Sequence, residues 1–188
     1  MPCVACGDDR CPVISDHRSG GAARARYDPH DVRAILDEGI VAHVGVLTPD
    51  GPLVLPMAYG RDDDWLYLHG ALANHLLGSG EGDEICATVT LVDGLVMART
   101  PFHNSMNYRS VVVRGRAEQL VEPEAKLRAL KIITDHVVEN WDQGREVAAI
   151  DERKTLVLRV PLAEASAKVR AGDPIDEPDD MNGPWWAG

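Results

Sequence analysis

Residues 43–77 decide the fold and read HVGVLTPDGPLVLPMAYGRDDDWLYLHGALANHLL. Three apolar segments of strand length follow one another here. They are separated by Pro49-Asp50-Gly51-Pro52 and by Arg61-Asp62-Asp63-Asp64, two groups of residues that favour turns. The pattern predicts three antiparallel strands that lead into a short helix, which opens with small residues and Asn74-His75. Because a helix N-terminus carries partial positive charge and unpaired N–H groups, we expect it to bind a phosphate.

The segments around this stretch predict two longer helices. Asp28 and Pro29 have the form of an N-cap and a first helical residue, and Gly39 predicts the end of that helix. A second helix is predicted from Pro123 to about Glu139, because apolar residues recur there at helical spacing. These residues are Leu127, Leu130, Ile133 and Val137.

The remaining strands are predicted at residues 85–91, 96–99, 108–121 and 155–160, with the first two joined as a hairpin by Asp93-Gly94. About six strands with few helices between them do not show the alternation of a doubly wound fold. We therefore predict a mainly β (α+β) protein, a six-stranded antiparallel split β-barrel with flanking helices. Pro56 lies inside the second strand and cannot donate to a ladder, so it marks an edge or a bulge.

Composition and net charge limit the classes of function that the chain can have. The chain has 188 residues, a net charge of −11, 45% hydrophobic and 26% charged residues, which suits one globular domain with tails. The acidic balance argues against a nucleic-acid or anionic-membrane partner. No apolar run approaches the roughly 20 residues that span a bilayer. The N-terminus is unlike a signal peptide, so we expect a cytoplasmic protein.

The organisation predicted along the chain has three parts. Residues 1–26 form a flexible tail, residues 27–172 the barrel, and residues 173–188 an extended C-terminal segment. The tail contains Cys3, Cys6, Cys11 and His17, ligand types that tetrahedral zinc takes. Their spacing matches no established finger, so a loose, reduced tail without metal is favoured over a structural zinc site.

Four pieces of sequence in this order resemble the pyridoxamine 5′-phosphate oxidase-like superfamily of FMN-binding split barrels, in its nitroimidazole-reductase-like branch. They are Pro56-Met57-Ala58-Tyr59, Leu66-Tyr67-Leu68-His69-Gly70-Ala71, Asn107-Tyr108-Arg109-Ser110-Val111-Val112-Val113-Arg114-Gly115 and Trp185-Trp186-Ala187-Gly188. The resemblance covers roughly Tyr27 to Gly188.

The resemblance implies a homodimer that holds FMN in a groove between its subunits. The second strand would lay its backbone along the flavin ring, the end of the third strand and the following helix would bind phosphate, and the other subunit would contribute the long strand. The terminal tryptophans would lie near the ring. The implied cofactor-binding residues are Leu55, Pro56, Met57, Ala58, His69, Gly70, Ala73, Asn74, His75, Ser110 and Trp186.

The implied function is an oxidoreductase that acts on a small planar substrate through its flavin. His69 is the candidate catalytic residue, because a histidine at this strand end could polarise the substrate. In the oxidase branch the phosphate loop is rich in Arg and Lys, whereas Asn74 and His75 stand at the matching positions here. A deazaflavin or haem is therefore the alternative cofactor. The alternative function is a non-catalytic protein that binds such a cofactor for storage or sensing.

Overall fold

The computed structural model describes residues 24–71 and 84–188. Within these ranges the chain forms three α-helices and nine strands, and all strand pairs are antiparallel. In chain order the elements are β1 Ala25–Arg26, α1 Pro29–Glu38, β2 Val41–Thr48, β3 Gly51–Asp62, β4 Trp65–Ala71, β5 Glu84–Val96, β6 Ser105–Arg116, β7 Glu118–Gln119, α2 Pro123–Val137, α3 Ala149–Lys154, β8 Thr155–Pro161 and β9 Ser166–Arg170.

The strands lie in the order β1-β9-β6-β5-β2-β3-β4-β8-β7, and the sheet does not close on itself. This confirms the predicted mainly β split barrel. The six strands of seven residues or more among the described residues are β2, β3, β4, β5, β6 and β8. The predicted cysteine-containing tail, apart from residues 24–26, and the predicted phosphate-binding residues Ala73, Asn74 and His75 lie outside the described residues. In the described parts of the chain, no helix is long and apolar enough to cross a membrane.

The predicted hairpin at Asp93-Gly94 is wrong. β5 runs through these residues, and its register against β6 shifts between Val92 and Gly94, as at a β-bulge. A bulge takes up the turn-favouring pair without ending the strand. The hairpin instead connects β5 to β6 through residues 97–104, which include a 3-10 turn at Pro101–His103.

The inner face of the barrel is closed by α1. Val32, Ile35 and Leu36 of this helix are buried in the core, as the sequence predicts, and Asp28 caps it by accepting a hydrogen bond from the His30 N–H. The helix end is held by a buried tyrosine of β3. The Tyr59 hydroxyl donates to the carbonyl oxygens of Leu36 and Gly39, at 2.6 and 2.8 Å. Burial, the largest cause, raises the pKa of Tyr59, so the hydroxyl keeps the proton that it donates.

The outer face of β4, β8 and the end of β3 is covered by α2. The approach is closest at Gly60, where a Cβ atom would lie 2.8 Å from backbone atoms of Ile132 and Ile133. Val157, on the outer side of β8, is fully buried beneath this cover.

The predicted apolar stripe of α2 is only partly correct. Its buried residues are Lys126, Ala129 and Ile133, whereas Val137 is 40% exposed. The small Ala129 suits the close approach to the sheet. Lys126 is tolerated there because its ammonium group bonds the Glu152 carboxylate at 2.6 Å and the Glu152 carbonyl oxygen at 2.7 Å.

Candidate functional site

The site begins where β3 and β4 separate. β3 pairs with β4 only over residues 59–62, and the last pair is Tyr59 with Leu68. Beyond it β3 pairs with β2 back to Gly51, while β4 pairs with β8 on to Ala71. Ala58 and His69 are therefore the first residues on either side of a split in the sheet. Two groups of predicted site residues, at positions 55–58 and 69–70, border this split.

Two prolines determine which backbone groups of β3 face the split. Pro52 and Pro56 have no N–H and cannot donate to the ladder with β2, although both lie in register with it. Successive residues of an antiparallel strand direct their backbone groups to opposite edges. The ladder with β2 therefore uses the odd-numbered positions of β3. The carbonyl groups of positions 52, 54, 56 and 58 therefore point to the other edge of β3, away from β2. The N–H groups of Val54 and Ala58 point to the same edge.

That edge has no strand partner among the described residues over positions 51–58. Unpaired backbone donors and acceptors require water, a ligand or another chain. Such an edge matches the alternating donors and acceptors that line the edge of a flat heterocycle. The prediction that β3 contacts its ligand through the backbone is thus compatible with the hydrogen-bonding groups that the strand offers. The side chains of Leu55 and Met57 play no part in this, because they point to the inner face with their register partners Val44 and Ala42.

His69 lies on the opposite side of the split. Its register partner on β8 is Val157, so its side chain is on the outer face of the barrel. The residue is half-buried, and its ring has no hydrogen-bond partner among the residues that the structure describes. Burial lowers the pKa of His69, which favours a neutral imidazole. A neutral imidazole can donate at one nitrogen and accept, or bind a metal, at the other.

The first half of β3 continues into a sheet face that no described helix covers. We call it the uncovered face, and it consists of the outward residues of β2, β5, β6 and the first half of β3. Most of its residues are small, apolar or uncharged: Val54, Pro56, Ala58, His43, Gly45, Cys86, Thr88, Thr90, Ser110 and Val112. Its charged residues are Glu84, Arg114 and Arg116, and Arg114 lies in register with Cys86. Val54 is 58% exposed, so the surface is apolar as well as open. A flat aromatic ring fits the uncharged part of this face, and Arg114 lies at the border of that part.

Predicted site residues fall at two separated places on this face. Pro56 is on β3 and Ser110 on β6, with β2 and β5 between them. Three strand spacings of about 4.8 Å put the two strands about 14 Å apart. Ser110 is also two residues away from Val112, which is the position of β6 in line with Pro56. The Ser110 hydroxyl lies 3.5 Å from the Lys168 carbonyl oxygen of the neighbouring strand. One chain therefore does not bring Pro56 and Ser110 together around a single ring.

Trp186 lies on a C-terminal segment that is attached beyond the end of β5. Gly188 exchanges two backbone hydrogen bonds with Met97, at 2.8 and 2.9 Å. Asp176 accepts from the Arg99 backbone N–H at 2.7 Å and from its guanidinium at 2.6 Å, and its side chain is only 2% exposed. Trp186 itself is 72% exposed.

This attachment places the tryptophan far from the split of its own chain. Thr88 of β5 lies in register with His43, which in turn lies in register with Pro56. Met97 follows Thr88 by nine residues, which is about 30 Å along an extended strand. The structure therefore groups positions 55–58 and 69–70 together and leaves Ser110 and Trp186 apart from them.

The sequence analysis missed His43. This exposed residue of β2 is the register partner of Pro56 and Thr88, and it lies on the uncovered face close to the split. The alternation of residues 41–47 marks it as outward-facing, but an outward histidine on a strand is unremarkable until the neighbouring strands are known. Only the pairing of β2 with β3 reveals its position.

The family model for pyridoxamine 5′-phosphate oxidase matches residues 28–169. The chain belongs to this family. The match confirms the resemblance drawn from the four pieces of sequence, and it includes every predicted site residue except Trp186. No curated protein matches the chain.

Three solved structures are similar to this chain. The flavocytochrome Anf3 from Azotobacter vinelandii is 38% identical, with a TM-score of 0.85 over 93% of this chain and 80% of that chain. An FAD and haem binding protein from Mycobacterium smegmatis is 28% identical, with a TM-score of 0.82 over 88% and 82%. A candidate 5-nitroimidazole antibiotic resistance protein from Bacteroides thetaiotaomicron is 26% identical, with a TM-score of 0.64 over 77% and 86%.

Proposed function

We propose that this protein is a flavin-dependent oxidoreductase that binds its flavin along the split between β3 and β4, at a seam between two copies of the chain. The unpaired edge of β3, beside the apolar part of the uncovered face, carries the proposal. Two relatives support the cofactor class, since one is a flavocytochrome and the other is an FAD and haem binding protein.

Most of the predicted residues have a role in this proposal. The backbone at positions 54, 56 and 58 would hold the polar edge of the ring, and Pro56 and Ala58 would present small side chains to its face. Leu55 and Met57 would only space these positions, because their backbone groups pair with β2 and their side chains point inward. His69 and Gly70 would lie at the end of the split towards the phosphate. Ala73, Asn74 and His75 would bind the phosphate, although they lie outside the described residues.

The second copy is needed because one chain does not complete the site. Ser110 lies on a strand about 14 Å across the sheet from that of Pro56, and Trp186 is attached farther away still. Large apolar side chains are exposed on the β5–β6 hairpin and on the C-terminal segment that is hydrogen-bonded to it. They include Leu95 at 75%, Phe102 at 90% and Trp186 at 72% exposure. Exposed apolar surface of this extent is typical of an interface.

The chemistry divides between the cofactor and the chain. A bound flavin supplies hydride or electron transfer. The chain orients the ring through the β3 backbone and excludes water with the apolar residues of the uncovered face. His69, as a neutral imidazole, donates a hydrogen bond to a carbonyl or nitro oxygen of a small planar substrate. A cytoplasmic location remains part of the proposal.

Cofactor extraction tests the proposal. Freshly purified protein is expected to show flavin absorption bands, and mass spectrometry of the released cofactor distinguishes FMN, which the sequence resemblance implies, from FAD or a deazaflavin. Light scattering is expected to give twice the chain mass of 20.4 kDa. Colourless protein that gains no flavin bands on titration with FMN or FAD would contradict the proposal, as would a flavin-loaded monomer.

A second candidate function is the joint binding of flavin and haem. The 38% identical flavocytochrome and the half-buried, neutral His69 favour it, because an imidazole with a free nitrogen can bind iron. Reconstitution with haem is then expected to give a Soret band that His69→Ala shifts or abolishes. Flavin that NADH and NADPH fail to reduce, with or without acceptors, would favour storage or sensing over turnover.

A further inference from the structure

A second cleft lies at the end of β4 that is opposite to the split. It has a volume of about 540 Å³ and is bordered by the first turn of α1, the β3–β4 turn and the β8–β9 turn. The two strand turns are joined by a hydrogen bond from the Leu162 N–H to the Asp64 carbonyl oxygen, at 2.8 Å. Trp65 of the cleft precedes His69 by four residues, or about 13 Å along the strand. The cleft is therefore separate from the proposed flavin site.

The walls of this cleft are mostly apolar and include two aromatic rings. They are formed by Tyr27, Pro29, Val32, Trp65, Pro161 and Leu162. Trp65 is held in place, because the Arg159 guanidinium lies over its ring at 4.0 Å from the centroid and also bonds Glu118 at 2.7 Å. A volume of this size with aromatic walls and few polar groups is typical of small-molecule sites.

The charge around the cleft is negative. Its lining includes one ion pair, Arg33 with Asp64, at 2.5 Å between the guanidinium nitrogen and the carboxylate oxygen. Arg61 on the same turn is bonded to Asp37 at 2.6 Å. The bordering segments also contain the carboxylates of Asp28, Asp31, Asp62, Asp63 and Glu164 and the cations of Arg24 and Arg26, so acidic residues outnumber basic ones around the cleft.

We propose that this cleft binds a small organic cation with an aromatic or apolar body, such as a quaternary ammonium compound or a protonated aromatic amine. One face of Trp65 already holds the Arg159 guanidinium, so a ligand cation is attracted by the π-electrons of Tyr27 and of the part of Trp65 that lines the cleft. The surrounding carboxylates raise the local concentration of cations and repel anions. The apolar walls bury the body of the ligand and leave its charge near the acidic rim.

Tryptophan signals in the nuclear magnetic resonance spectrum of the full-length chain test this proposal. The chain has four tryptophans, so its ¹⁵N–¹H spectrum contains four indole signals, and Trp65→Phe identifies one of them. Titration with phenyltrimethylammonium is expected to shift the Trp65 signal in a saturable manner and leave the other three in place. Benzoate, which carries the same ring with the opposite charge, is expected to bind at least tenfold more weakly.

Three substitutions locate the binding. Ala163→Phe adds a ring at an exposed position that lines the cleft, and we expect it to weaken phenyltrimethylammonium binding at least tenfold without changing the circular dichroism spectrum. Asp64→Asn is expected to weaken the cation several-fold and to strengthen benzoate, because Arg33 loses its partner. Asp50→Asn, at the other end of β3, is the matched control and should change neither.

The outcomes separate this proposal from the flavin proposal. Equal binding of cation and benzoate, no saturable shift of Trp65, or full binding by Ala163→Phe would each overturn it. The titration is repeated with flavin-saturated protein, if flavin binds, and the same affinity is expected. Failure of flavin binding leaves the cleft result intact, and failure of the cleft leaves the flavin spectrum intact.

Discussion

The two halves of β3 present the same outer face to different surroundings. Gly60 meets the backbone of α2, with only 2.8 Å left for a Cβ atom. Ala58, two residues earlier on the same face, is exposed, as is Pro56. The change occurs at the residue where β3 loses β4 as its partner. One half of β3 thus packs against α2, and the other half lies on the face where we propose that flavin binds.

This difference explains how one sheet supports both stability and function. Under α2 the outer valine at position 157 is fully buried, whereas on the uncovered face Val54 is 58% exposed. Burying an aliphatic side chain contributes about 1.5–3 kcal/mol, and the uncovered face forgoes this within a single chain. A ligand and a second chain that cover this face would recover it on binding.

The covered half is tested by adding one methyl group. Gly60→Ala is expected to lower the free energy of unfolding by about 2–3 kcal/mol, because backbone of α2 must move away. The matched control is Gly45→Ala on the uncovered face, where the new Cβ would lie 3.4 Å from the Cys86 carbonyl oxygen and 3.7 Å from Val54. It should change stability by less than about 0.5 kcal/mol. Urea unfolding of both variants measures the difference, and equal losses would remove the distinction between the two halves.

The uncovered half is tested by adding a charge. Ala58→Glu is expected to lower flavin affinity at least about tenfold, which corresponds to about 1.4 kcal/mol, and to weaken dimerisation, because it places a carboxylate on the uncharged part of this face. Thermal stability of the single chain should stay near that of the wild type. Ala34→Glu, an exposed position on α1, controls for the added charge. Undiminished flavin titration and an intact dimer in Ala58→Glu would show that the ligand does not lie there.

His69 lies at the boundary between the two halves, and the pH dependence of stability tests its environment. This prediction has the smallest expected effect. Burial lowers the pKa of His69 below its usual 6.5, so the unfolded chain binds the proton first as the pH falls through 6.5. The wild type should therefore lose stability between pH 7.5 and the lower pKa of the folded state. His69→Gln should lose less over the same interval, whereas His30→Gln, with a side chain 88% exposed, should follow the wild type. Melting temperatures at pH 7.5 and 5.5 measure the effect, and parallel curves for His69→Gln and the wild type would contradict it.

Local patterns predicted much of the fold correctly. Asp28, Pro29 and Gly39 set the bounds of α1, since capping and helix termination are decided within a few residues. Pro56 predicted an edge, because a missing N–H excludes a position from a ladder wherever the strand lies. The bulge at Asp93-Gly94 was misread as a turn, since the same residue types favour both and only the β6 partner decides between them.

The strand period of two determines by itself that Pro56 and Ala58 share one face of β3 and that Trp65, Tyr67 and His69 share one face of β4. Tertiary structure alone decided that His69 and Ala58 border one split, and that Ser110 and Trp186 lie elsewhere in the same chain. It also decided that α2 covers Gly60 and leaves Ala58 open. Such outcomes depend on which strand pairs with which and on where a helix comes to rest. Those contacts join residues far apart in the chain, and no short stretch of sequence encodes them.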